Sequence, residues 1–113
     1  MVDRKIEFGT TLRTPDNIEA LAQQIEGLGF DILGCGEHVS FHGDSANGFV
    51  SLSVAAGVTN HIRLMSAITL VPLYPAALIA KLRAALDIAS GVRYTRGGRV
   101  AGEYPSEFAA CGV

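Results

Sequence analysis

Glu37 and His38 stand side by side at the end of a short, mostly apolar run, Phe30–Cys35. An imidazole has an ordinary pKa of about 6.5, so a histidine at a binding site can give or take a proton at neutral pH. A carboxylate beside it can orient the ring or reach a ligand itself. The pair therefore predicts acid–base chemistry by His38, with Glu37 as a second catalytic candidate. The alternatives are a loop histidine bonded to backbone and an ordinary charged residue at a strand end.

Glu37, His38 and His42 also have the residue types of metal ligands. His38 and His42 are four residues apart, a spacing that places two ligands on one face only in a helix. The segment 40–48 is polar and contains glycine, which favours a loop. We therefore predict no metal site.

A cluster of arginines follows near the C-terminal end. Arg93, Arg96 and Arg99 flank Gly97 and Gly98, and the guanidinium fork is well suited to phosphate groups. Anion or nucleotide binding through Arg96 and Arg99 is one interpretation. A solvated, irregular segment is the alternative.

Alternating strands and helices must position these residues. Apolar residues at helical spacing, closed by Gly29 and Gly91 as C-terminal caps, predict the first and third helices. Thr14 and Pro15 are typical of an N-cap and a first helical residue. Strands joined by helices pair in parallel, and their C-terminal ends lie at one edge of the sheet. The predicted strands are Lys5–Thr10, Asp31–Cys35, Arg63–Val71 and Val92–Val100, and the predicted helices are Pro15–Leu28, Phe49–Thr59, Pro75–Ser90 and a short one within Glu103–Val113.

Composition limits the classes of function. The 113 residues favour a single domain, 1–113, and the net charge of −2 argues against a nucleic-acid partner. No signal-peptide pattern follows Met1, and Pro72 and Pro75 interrupt the most apolar stretch, so we expect neither export nor a membrane partner. Two cysteines form no disulfide framework, which favours a cytoplasmic location.

The chain resembles the luciferase-like monooxygenase family along nearly its whole length. The resemblance rests on the order and spacing of several segments, of which the Leu86–Gly91 string followed by Arg93 is the most recognisable. The other similar segments are Thr14–Asn17, Gly29–Asp31, Gly36–His38, Ala55–Thr59 with Ile62–Leu64, Pro72–Pro75, Gly102–Pro105, Glu107-Phe108 and Cys111–Val113.

This resemblance implies an α/β fold of the (β/α)8 TIM-barrel type, of which the chain holds about the first four β/α units, a half-barrel. It also implies a reduced flavin or deazaflavin cofactor, FMN or coenzyme F420, and a small organic substrate. His38 would face the cofactor ring as general acid or base, with Glu37 beside it. Cofactor contacts are implied for Thr10, His38, Leu70, Val71 and Gly102. Leu70-Val71-Pro72 is where the family often carries a strained, sometimes cis, peptide.

The chain departs from the family pattern in its second and fourth strands. Gly34 stands where a large aromatic residue is common, and Val92 replaces a glycine. Arg96, Gly98 and Arg99 stand where apolar residues or glycine are expected.

Two hypotheses of function follow. The first is a flavin- or deazaflavin-dependent, monooxygenase-like oxidoreductase. The second is a catalytically inactive half-barrel that acts as a binding or assembly module. A parallel sheet is normally buried on both faces and an open edge invites pairing, so we expect a homodimer or another oligomer.

Overall fold

Strands and helices alternate along the chain, as the sequence predicts. The computed structural model describes residues 5–40, 43–99 and 104–113. No helix within these ranges is long and apolar enough to cross a membrane. The elements are β1 Gly9–Leu12, α1 Ile18–Gly27, β2 Ile32–Cys35, α2 Gly48–Val58, β3 Arg63–Ser66, β4 Thr69–Leu70, a 3-10 turn at Val71–Leu73, α3 Ala76–Ala89, β5 Tyr94–Thr95, β6 Gly98–Arg99 and α4 Pro105–Ala110.

The main sheet is parallel and has the order β1-β2-β3-β5. Leu33 of β2 lies between Thr10 of β1 and Leu64 of β3 in the ladder. Leu33 and Leu64 are fully buried and belong to the core that the sheet shares with the helices. Side chains alternate across a strand, so Thr10 points toward the helices and Thr11 points toward the opposite face.

The first strand and the first helix both begin later than predicted. Gly9, not Lys5, opens β1, because the register of the ladder begins where Gly9 lies opposite Ile32, the first residue of β2. α1 begins at Ile18 after a turn in which Asn17 takes left-handed backbone angles, which asparagine tolerates. Thr14 and Pro15 therefore lie before the helix rather than capping it.

The other helix boundaries agree with prediction to within a residue or two. The Asn47 side chain accepts hydrogen bonds from the Phe49 and Val50 amides and so caps α2. Gly29 and Gly91 have positive φ, as expected of C-terminal caps. The Gly29 amide donates to the Glu26 carbonyl, and the Phe30 amide donates to the Ile25 carbonyl, which gives a Schellman motif.

The third and fourth strands are each broken into two short pieces, contrary to prediction. Ala67 and Ile68, joined by a cis peptide bond, separate β3 from β4. In the fourth strand, β5 pairs with β3 and β6 pairs with β4, in two separate sheets. A glycine is required at position 97, between β5 and β6, because a Cβ there would lie 2.2 Å from the Ser66 carbonyl oxygen.

Arg93 lies among backbone carbonyls, so the phosphate interpretation is wrong for this residue. Its guanidinium donates to the carbonyl oxygens of Ser90 at 2.6 Å, Ile62 at 2.9 Å, and Ala56 and Thr59 at 3.1 Å. Ala56 and Thr59 lie at the end of α2, where helix carbonyls lack partners within the helix. The arginine thus joins the ends of α2 and α3 to the start of β3.

Replacing Arg93 by alanine should leave these carbonyls without donors and lower the free energy of unfolding by about 2–4 kcal/mol. Chemical denaturation measures the change. Arg96→Ala is the matched control, because Arg96 is exposed, and it should change stability by no more than about 0.5 kcal/mol. Equal effects of the two substitutions would contradict the role of Arg93.

Val92 has a φ of 64°, in the left-handed region that a β-branched residue rarely adopts, and its side chain is 80% exposed. Val92→Gly should therefore raise the free energy of unfolding by about 0.5–1 kcal/mol. Val50→Gly, at an exposed position inside α2, should lower it by a similar amount. A Val92→Gly variant no more stable than the parent chain would disprove the strain.

Candidate active site

A cavity of about 330 Å³ opens at the C-terminal ends of the strands. This is the edge at which a sheet of this type presents its loops to a ligand. Its wall combines apolar and polar side chains from several elements. The lining residues are Thr11–Thr14, Cys35–His38, Asp44–Ala46, Ala67, Ile68, Leu70, Arg99, Tyr104 and Phe108.

His38 lies in the wall of this cavity, where the sequence places the acid–base residue. Its side chain is about one-third exposed, and its backbone amide donates to the Ser45 hydroxyl at 3.2 Å. Tyr104 meets the imidazole edge-on, with ring centroids 5.5 Å apart. The ring is thus held by its neighbours while it borders the cavity.

The carboxylate that contacts His38 belongs to Glu107 of α4. Glu107 is fully buried, and its Oε2 lies 3.1 Å from His38 Nδ1. Its Oε1 accepts hydrogen bonds from the amides of Val39 and Ser40. Burial by itself raises the pKa of Glu107, but the hydrogen bonds from His38 and the two amides outweigh it and lower the pKa below the ordinary value. The group is therefore an ionised acceptor at neutral pH.

Glu37 makes its hydrogen bonds to groups other than the His38 ring among the described residues, so its role as a second catalytic residue stays a prediction. Its buried carboxylate accepts hydrogen bonds from the Leu70 amide at 3.0 Å, from Asn47 Nδ2 at 2.7 Å and from the Tyr74 hydroxyl. Burial, and then the bond to Glu37, raises the pKa of Tyr74, which keeps the phenol protonated as a donor. Glu37 therefore joins the ends of β2 and β4 to the start of α2.

A second cavity, of about 410 Å³, lies on the other side of this pair of residues. Glu37 and His38 line both cavities, so they form part of the wall between them. Asn47, Tyr74 and Cys111 also line the second cavity. The two acid–base candidates thus contribute to the lining of both cavities.

The predicted cofactor contacts are only partly brought together. Leu70 lines the main cavity, whereas Thr10 points toward the helices and its neighbour Thr11 lines the cavity instead. Val71 begins the 3-10 turn, packs against the core and is absent from the lining. Gly102 lies outside the described residues.

The cis peptide lies between Ala67 and Ile68, three residues before the expected Leu70-Val71-Pro72 segment. Both of its residues line the main cavity. The resemblance therefore implies the right feature, a cis peptide near the end of the third strand, but places it too far along the chain.

The described residues contain no group of three or more His, Cys, Asp or Glu side chains placed to hold a metal ion. His42, the third residue of the metal alternative, lies outside the described residues. Arg99 lines the main cavity, whereas Arg96 lines a groove between α3 and β5. The anion site that combines Arg96 with Arg99 is therefore not formed.

Sequence reasoning missed Glu107, Asn47 and Tyr74. Asn47 had a detectable signal, since it directly precedes an apolar helical segment as an N-cap does. Glu107 lies 69 residues from His38 along the chain, and no local pattern relates the two. Only the contact of α4 with the residues that follow β2 brings them together.

The sequence model of the luciferase-like monooxygenase family matches residues 4–113. The match covers almost the whole chain, so the chain belongs to this family, as its motifs imply. No curated protein matches it.

Solved structures of similar fold include the oxygenating constituent of 3,6-diketocamphane monooxygenase from Pseudomonas putida, in complex with FMN. It is 24% identical with a TM-score of 0.86, over 96% of this chain and 33% of its own. A monooxygenase from Streptomyces bottropensis is 27% identical with a TM-score of 0.81, and the match covers 96% of this chain and 37% of that protein. The coenzyme F420-dependent tetrahydromethanopterin reductase from Methanopyrus kandleri is 28% identical with a TM-score of 0.76. The match covers 97% of this chain and 31% of that protein.

The chain spans about one third of the length of these proteins. The predicted fold class, an α/β fold with a parallel sheet that corresponds to the first part of a (β/α)8 barrel, is confirmed.

Stability should fall in acid because two buried carboxylates titrate. The pKa of Glu107 and that of Glu26, which accepts the amides of residues 60–62, both lie below their ordinary 4.5. A lowered folded-state pKa gives stability that is present above pH 4.5 and is lost as the pH falls through the folded-state values. Denaturation between pH 7 and pH 3 measures this loss, and Glu26→Gln should reduce its slope. A pH-independent midpoint would contradict the role of both groups.

Proposed function

We propose that this chain carries the proton-handling part of the active site of a flavin- or deazaflavin-dependent oxidoreductase that acts on a small organic substrate. The observation that carries the proposal is His38, which borders a cavity at the strand ends while a buried carboxylate holds its Nδ1. Membership of the luciferase-like monooxygenase family supports the reaction class. The similarity to an FMN complex and to an F420-dependent reductase keeps both cofactors open.

The residues present fit the ring portion of such a cofactor. The cavity has the volume of a small ligand pocket, which is at least about 300 Å³. Thr11, Ile68 and Leu70 offer it a mixed polar and apolar wall, and Arg13 and Arg99 line the same cavity. When bound, the cofactor supplies hydride transfer or oxygen activation. His38, Thr11 and Leu70 are the residues that we propose to hold the ring.

His38 is the residue that we propose to exchange the proton, at Nε2, because Glu107 occupies Nδ1. Glu37 is a positioning residue in this proposal. Its bonds to Leu70, Asn47 and Tyr74 fix the loop from which His38 projects. A general acid or base must be held within hydrogen-bond reach of its target, and this network restricts how far the loop can move.

We also propose that a second copy of the chain completes the site. Among the described residues, β1 and β5 each pair with one strand only, so both edges of the main sheet are open. Gly9, Thr11 and Arg63, on the face opposite the helices, are exposed. Two copies would together supply the eight strands of a closed barrel. The alternative, an inactive assembly module, shares this arrangement but binds no flavin.

The test is a titration of FMN, and separately of coenzyme F420, into the purified chain, followed by ring fluorescence with the molecular mass measured alongside. Saturable binding by a dimer is expected, and His38→Ala should weaken it about tenfold, the equivalent of one or two lost hydrogen bonds. His61→Ala is the matched control, since the His61 side chain is exposed and does not line the cavity.

A folded chain that binds neither compound would disprove the oxidoreductase proposal and favour the assembly module. A folded monomer that binds flavin would disprove the second-copy proposal alone. Equal loss of binding in His38→Ala and His61→Ala would disprove the proposed contact between His38 and the cofactor.

A further inference from the structure

The two oxygens of the Glu107 carboxylate have different kinds of partner. Oε1 accepts from the backbone amides of Val39 and Ser40, the second at 3.2 Å. Oε2 faces Nδ1 of His38 at 3.1 Å. The whole residue is buried, so water does not compete for either oxygen.

These contacts determine where the neutral imidazole carries its proton. An ionised carboxylate can only accept hydrogen bonds, so a neutral ring must donate from Nδ1. Nε2 is then the ring nitrogen without a proton. In free histidine the opposite tautomer, with the proton on Nε2, predominates, so the buried carboxylate reverses the intrinsic preference.

We propose that Glu107 is a positioning residue that holds neutral His38 in the tautomer protonated at Nδ1, which makes Nε2 the atom that accepts a proton. The use of Nε2 in a reaction rests on the proposed function, whereas the tautomer itself does not.

The same contact makes the acid–base property of His38 depend on α4. Glu107 belongs to this short C-terminal helix, and Tyr104 and Phe108 beside it line the cavity. Through Val39 and Ser40, Glu107 also fixes the loop that follows β2. Docking of α4 thus supplies both the shape of the loop and the tautomer of the ring.

Glu107→Gln separates these two contributions. The Val39 and Ser40 amides can only donate, so the carbonyl oxygen of the glutamine must remain with them. The glutamine NH2 group then takes the place of Oε2 and donates to His38 Nδ1. The substitution should therefore retain the loop anchor and move the proton of the neutral ring to Nε2.

The measurement is the nitrogen-15 spectrum of the imidazoles at a pH well above about 6.5, where an ordinary histidine is neutral. In the parent chain, His38 should show a protonated Nδ1 and an unprotonated Nε2. In Glu107→Gln the two shifts should exchange. The spectrum of His38→Asn assigns the His38 signals by their loss.

Glu26→Gln is the matched control for burial and stability. Glu26 is also a buried carboxylate that accepts three successive backbone amides, and its Oε1 lies 3.4 Å from Nδ1 of another histidine, His61. Its substitution should lower stability by a comparable amount and leave the His38 shifts unchanged. A Glu107→Gln spectrum identical to that of the parent chain would overturn the inference, and so would an exchange of shifts in Glu26→Gln.

The nitrogen-15 spectra and the flavin titration test separate proposals, so their outcomes can be told apart. Exchanged shifts in a chain that binds no flavin would retain the role of Glu107 and disprove the proposed function. Unchanged shifts in a chain that binds flavin would disprove the role of Glu107 and leave the proposed function in place. Should Glu107→Gln fail to fold, the parent spectrum decides alone, because a proton on Nε2 there contradicts the proposal.

Discussion

A carboxylate taken out of water must find hydrogen-bond donors within the protein, and three such groups hold this chain together. Glu26, Glu37 and Glu107 are each buried, and each accepts at least one backbone amide from a distant segment. Glu26 joins α1 to the loop before β3. Glu37 joins β2 to β4, and Glu107 joins α4 to the loop after β2. Arg93 plays the complementary part, since it donates to carbonyls that the helices leave unpartnered.

Buried carboxylates bond to the backbone next to His38, where the sheet is small. The strands that carry the site contain four residues or fewer, so ladder hydrogen bonds alone fix little of the loop geometry. Glu107 contacts the His38 ring itself, and Glu37, the residue before His38, is held by the Leu70 amide. Each carboxylate also joins elements that are far apart in sequence.

The pattern of alternating strands and helices was predictable because it depends on local spacing. Apolar periodicity placed α3 to within one residue at each end, and glycine placed the ends of α1 and α3. The breaks in the third and fourth strands were not predictable, because no local pattern shows that the backbone at Gly97 lies too close to the Ser66 carbonyl for a Cβ. The late start of β1 likewise depends on where its partner begins. Strand ends are set by neighbours, and the start of α1 shows that a capping pattern in the sequence does not by itself fix a helix end.

The site divides in the same way. By itself, the sequence determined the family, the parallel α/β class and the position of His38 at the end of the second strand, since these follow from residue order and spacing. Only the tertiary structure decided that Glu107 rather than Glu37 contacts the imidazole of His38. It also decided that Thr11 rather than Thr10 lines the cavity, and that Arg93 bonds to backbone carbonyls. The physical reason is that a buried polar group bonds to whichever donor or acceptor the packing brings within about 3 Å, and sequence distance does not limit that choice.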